Sequence, residues 1–199
     1  MSRTLGLKFS EVMTGGFVLG ATDPSTGETE GNRQNSRLAL HCNVTIDDLQ
    51  RFVQDPQHPG HLACTVDFPP FGTGIPCDPG IFNLFRPGNT PNERWMVYEC
   101  RFTAKSQRYY LAGKKIIAKG HAAEVLQQIT TLFTLLLQGN DASGALEGAG
   151  TLQLGVKSIA DMAKSLHVTG AQNHLEVLKG LGLYLELFLG ELWQTYIWP

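Results

Sequence analysis

Alternation of apolar and polar residues marks several segments of the chain as half-buried β-strands, because successive strand side chains point to opposite faces. Leu38, Leu40, Cys42, Val44 and Ile46 alternate with Ala39, His41, Asn43 and Thr45. Leu62, Cys64, Val66 and Phe68 alternate with Ala63, Thr65 and Asp67. An earlier run from Leu5 to Met13 has Leu7 and Phe9 in phase, and Gly15-Gly16 then interrupts it before Phe17-Val18-Leu19. Paired glycines there predict a bulge or a sharp coil, the device that lets a sheet close on itself. Between the two alternating runs, Asp47 to Val53 predicts a short helical turn stopped by Asp55-Pro56. Thr22 to Ser36 and Phe71 to Gly80, polar or rich in glycine and proline, are expected to be loops.

Ile81 to Phe85 reads as a short strand, followed by a hairpin from Trp95 to Phe102 and from Arg108 to Ile117. Centring its turn on Lys105-Ser106 pairs Phe102 with Tyr109, Cys100 with Leu111 and Tyr98 with Gly113, all on one apolar face. Tyr98 is expected to cover the thin spot at Gly113. Thr130 to Leu137, apolar on both faces, predicts a central or helix-covered strand. Gly148 to Leu154 predicts an eighth strand.

Helices follow. Ser158 with Asp161 predicts a cap for a helix over Ile159 to Leu166, and Asn173 with Glu176 caps a longer one. In the latter, Leu175, Leu178, Gly182, Leu185, Leu189, Leu192 and Tyr196 fall on one face, widened by Val177, Leu181, Tyr184 and Phe188. That stripe is expected to pack on the barrel, with Gly180, Gly182 and Gly190 permitting close approach, or to meet a partner. The pattern as a whole predicts a mainly β fold in one domain. An antiparallel barrel of about eight strands, lipocalin-like or related, occupies residues 1–155, and a C-terminal helical segment, residues 156–199, packs on it.

A net charge of −2 and a charged fraction of 17% remove the basic excess that nucleic-acid binding draws on. The first residues form no continuous apolar core of a signal peptide, and no run is long enough to span a bilayer, so a cytoplasmic protein is expected. Of the four cysteines, Cys42, Cys64 and Cys100 are in phase with apolar neighbours as small core residues, and Cys77 is expected in a loop. Without a C-x-x-C pair, neither a thiolate metal site nor a redox motif is expected.

The sequence carries no G-x-G-x-x-G after a strand, no P-loop, no G-x-S-x-G and no H-E-x-x-H, so flavin, nicotinamide, nucleotide and zinc-protease chemistry are not expected of it. No cofactor is called for. His58 and His61 flank Pro59-Gly60 without a third ligand at useful spacing and are expected to face solvent. Asp47-Asp48 suits helix capping. The candidate ligand-binding groups are Glu99, Arg101, Tyr110 and Lys114 on the polar face of the hairpin, with His41 and the apolar-face Tyr98. They read either as an exterior charge ladder or as a polar anchor at a pocket mouth.

The stretches LKFSEVMTGGFVLGATDP, RLALHCNVTIDDLQRFVQDPQHPGHL, TVDFPPFGTGIP, FNLF, MVYECRF, RYYLAGKK, TTLFTLLLQG and FLGELW carry a resemblance across nearly the whole chain. Together they resemble a β-rich domain associated with bacterial glucose-methanol-choline oxidoreductases of the cholesterol-oxidase-like branch. The resemblance implies a companion module of the oxidoreductase and transfers no catalytic residue. The resulting expectation is a barrel that binds an apolar small molecule (lipid, sterol or isoprenoid-like), accessory to lipid or sterol metabolism. The alternatives are a docking module acting on a protein partner through the C-terminal helix, or a cofactor-free isomerase or cyclase.

Overall fold

The computed structural model describes the backbone of residues 4–196 and the side chains of residues 4–193. Eight antiparallel strands follow one another around a closed barrel: β1 (Gly6–Leu19), β2 (Arg37–Ile46), β3 (Pro59–Phe68), β4 (Gly72–Pro87), β5 (Glu93–Ala104), β6 (Gln107–Ala118), β7 (Thr131–Gln138) and β8 (Leu146–Gln153). Each strand pairs with the next, and β1 closes the circle by pairing with both β2 and β8. A three-residue strand, β9 (His167–Thr169), pairs with the start of β1. The helices are α1 (Pro24–Gln34), α2 (Leu49–Gln54), α3 (Ala122–Thr130), α4 (Val156–Ser165) and α5 (His174–Tyr196). None of those described is long and apolar enough to cross a membrane.

The hairpin register agrees residue for residue with the alternation, including Phe102 opposite Tyr109 and Tyr98 opposite Gly113. Lys105 and Ser106 both adopt positive φ, 49° and 62°, as a two-residue turn matched to strand twist requires. The space over Gly113 is filled by Leu132 of β7, however, and Tyr98 leans elsewhere. At Gly15-Gly16 the register runs through unbroken on both edges of β1, so the pair makes no bulge. A Cβ on Gly15 would collide with the Thr151 carbonyl of β8.

Both expected loops are ordered elements. Residues 24–34 form α1, with Asp23 accepting from Thr26 N at 3.0 Å, Pro24 in the first turn and Asn35 closing the helix at φ 54°. No apolar stripe betrays this helix, because its buried face is Gly27 and Gly31, pressed backbone to backbone on β8 and β1. Residues 72–80 belong to β4, whose one-residue slips against β3 and β5 absorb Pro76, Pro79 and Gly80. Cys77 is accordingly a strand residue. Helix α3 and strand β9 were not anticipated by the pattern. Helix α4 begins at Val156 with Gly155 as its N-cap, so Ser158 does not cap it.

The two ends of the barrel differ. One is plugged by aromatic rings: Phe68 meets Phe17 and Phe71 edge-on at 5.3 Å each, and Phe71 stacks on Tyr109 at 4.7 Å. At the other end, side chains of α3, α4 and α5 converge over the lumen. Helix α5 is capped as expected, Asn173 accepting from Glu176 N at 3.0 Å. Its inner face is Val177, Leu181, Tyr184 and Phe188, together with Leu192. Leu175, Leu178, Leu185 and Leu189 point to solvent, 76% exposed at the first and 58% at the last; the side chain of Tyr196 lies outside the described residues. Only Gly180 makes a close approach, against Val168 of β9, whereas Gly182 and Gly190 face open space.

Leu185→Asp and Leu189→Asp are therefore expected to leave folding intact, each shifting stability by no more than about 0.5 kcal/mol. Urea unfolding checks this; loss of the fold in either variant would place the leucine stripe in the core.

Candidate functional site

Strand alternation fixes which side chains enter the lumen. Along β1, Leu7, Phe9, Glu11 and Met13 share the inner phase; along β6, Leu111, Gly113, Lys115 and Ile117 do. Two charged residues thus lie among apolar ones. Glu11 and Lys115 are 3% and 2% exposed, and their side chains meet across the lumen at 3.5 Å between Oε2 and Nζ. The ammonium also sits 4.9 Å from the centre of the Tyr98 ring, a cation–π contact. Tyr98 packs edge-on against Phe82, which meets Phe9 in the same way.

Above this pair is a cavity of about 190 Å³. Its walls are apolar side chains of the barrel (Phe9, Phe82, Leu84, Met96, Leu154), and its lid comes from Leu126 and Ile129 of α3, Ile159 and Met162 of α4, and Tyr184 and Phe188 of α5. Burial, reinforced by the negative charge of Glu11, pushes the phenols of Tyr98 and Tyr184 above the ordinary tyrosine range. Both stay protonated at neutral pH. Among the described residues, one buried side-chain polar atom lacks a hydrogen-bond partner: Glu11 Oε1. A buried carboxylate oxygen held without a donor is costly, and such an atom is where a ligand hydroxyl or amine gains most by donating.

Of the groups anticipated from sequence, only Tyr98 reaches this cavity. Glu99, Arg101, Tyr110 and Lys114 come together as the register implies, but on the outer wall. Arg101 lies over the Tyr110 ring at 5.8 Å and donates to the Asn140 carbonyl at 2.5 Å, and the Lys114 ammonium sits 3.5 Å above the Trp95 ring. His41 is also outside, on β2, at 2.9 Å from Asp67 of β3, and does not join them. Phase assigns Glu11 and Lys115 inward as firmly as it assigns Phe9 and Ile117. The alternation contained them, and the assumption that charged residues face out concealed them.

His58 and His61 do not form a pair. His58 is buried with Nδ1 at 2.7 Å from the Phe52 carbonyl, and His61 reaches Asp47 at 3.0 Å. Asp48 caps α2, accepting from Arg51 N at 3.0 Å. Two surface hollows, of about 240 and 250 Å³, are larger than the lumenal cavity. The first contains Asp47, Asp48 and His61, whose polar groups are already bound to one another or to the α2 backbone. The lumenal cavity combines apolar enclosure with convergent polar groups, which is what a small-molecule site needs.

Fold and site together define an up-and-down, eight-stranded barrel closed at one end by aromatic rings and holding a buried ion pair beneath a helix-capped cavity. The sequence matches no protein-family model, no curated protein and no solved structure.

Proposed function

We propose that the barrel binds a small, largely apolar molecule with one hydrogen-bond-donating head group, its body against Phe9, Phe82 and Leu154 and its head at Glu11. The observation that carries this reading is the unpartnered Glu11 Oε1 at the floor of an otherwise apolar cavity. Lys115 orients the carboxylate from 3.5 Å, and Tyr98 and Tyr184 add protonated phenols. A volume of about 190 Å³ is below the usual 300–1,000 Å³ of drug-sized sites. It suits a short isoprenoid-like alcohol or amine, or the head of a longer lipid whose tail leaves between α3 and α5, better than an enclosed sterol. A place beside lipid or sterol metabolism in the cytosol is part of the same proposal and rests on the sequence resemblance alone. A second reading, docking to a protein partner, is favoured by the outward leucine stripe of α5.

Native mass spectrometry of the protein purified from cells tests the binding reading. A co-purifying small apolar mass is expected, and Ile129→Trp, which fills the cavity, should remove it. At 100 times the dissociation constant, the released ligand should restore about 2.7 kcal/mol of stability to the apo protein. A clean apo mass together with no thermal shift across hydroxylated and aminated isoprenoids and lipids would overturn the proposal.

A further inference from the structure

We propose that Cys64, Cys77 and Cys100 form a three-thiolate site for a thiophilic closed-shell cation of the zinc or monovalent-copper class. The cluster is separate from the lumenal ion pair and owes nothing to the ligand reading above. Its three sulfurs lie within 4.8 Å of one another. Sulfurs bound to one such ion through bonds of about 2.3 Å sit about 4 Å apart, so closing the triangle takes movements below about 1 Å.

The topology explains how residues so far apart in sequence meet. Thr65 pairs with Pro76, which brings Cys64 of β3 beside Cys77 of β4. Cys77 pairs with Phe102, two residues from Cys100 on β5, and the slip of β4 at Pro79-Gly80 adjusts the diagonal. All three side chains are on the inner face of the wall, and all are unbridged. Cys42 of β2 lies directly opposite Cys64 but is outside the triangle.

The donor set is all sulfur, which selects soft cations over magnesium, calcium or manganese. Cys64 and Cys100 are buried and Cys77 is half-buried, which leaves one edge open for entry. Binding then exchanges protons for metal: each thiol that ligates forms one sulfur–metal bond and releases its proton to solvent, up to three per ion, with no change of oxidation state.

The test is anaerobic titration of the full chain with Cd²⁺, reading the ultraviolet thiolate-to-metal charge-transfer band and the protons released. One ion per chain is expected, with one to three protons displaced. Cys77→Ser should weaken binding more than tenfold, while Cys42→Ala, outside the triangle, should retain it; circular dichroism confirms that both variants fold. Competition by Zn²⁺ against Cu⁺ for the bound Cd²⁺ then assigns the class. Absence of the band, an unchanged band in Cys77→Ser, or a purified protein 2 Da light that binds no Cd²⁺ until reduced (a disulfide pair) would each overturn the proposal.

Discussion

Lys115→Met is expected to cost about 3–5 kcal/mol of folding stability, the penalty for leaving a buried charge without its partner. Methionine keeps most of the volume of the lysine stem, so the loss isolates the ammonium. Glu11 would then be a carboxylate 3% exposed without its cationic partner, with the Tyr98 phenol left to donate to it. The second half of the prediction is sharper. Glu11→Gln with Lys115→Met removes both charges, and the double variant should recover more than half of the single-variant loss. Urea unfolding of the four proteins completes the cycle. A single-variant cost under about 1 kcal/mol would mean that water solvates Glu11, and hence that the cavity is open to solvent when empty.

Phe68→Ala should be as damaging, at about 3–5 kcal/mol, for a different reason. Phe68 is 1% exposed and makes edge-on contacts with both Phe17 and Phe71, each worth about 0.5–1.5 kcal/mol beyond the area buried. Its removal opens a void at the aromatic-plugged end of the barrel. Phe68→Leu, which keeps much of the volume, should lose less than half as much. Thermal or denaturant unfolding measures both, and equal losses would show that ring geometry outweighs volume at this end.

How far the sequence could be read depended on where the stabilising contacts lie. Strands β2, β3, β5 and β6 bury one face each, so alternation gave their existence, their phase and the hairpin register. Helix α1 buries glycines against main chain, a contact with no hydrophobic signature, though its Asp23 cap and Pro24 were visible. The first half of β4, residues 72–80, looked like a loop because its prolines and glycines sit at slips in register, whereas Ile81 to Phe85 read as the strand it is. In α5 the stripe was legible but its centre was not: the widening residues Val177, Leu181, Tyr184 and Phe188 make the contact, and the heptad-like leucines beside them face solvent. For the site, the inner phase of β1 and β6 already contained Glu11 and Lys115. Their meeting across the lumen, like that of three cysteines from three strands, depends on barrel curvature and on the β4 slips, which no local pattern encodes.

Strand β1 pairs along one edge with β2 and along the other with β8, and this has a consequence for biosynthesis. On the ribosome the β2 partner begins at Arg37, but the β8 partner does not begin until Leu146. At roughly 5–20 residues per second, the nascent chain carries an unsatisfied β1 edge for roughly 5–20 s. Neighbouring nascent chains on one polysome each present that edge while the matching β8 segments are being made. Exchange of β8 between them would complete both barrels as a swapped dimer, and slower translation over residues 37–146 would favour it.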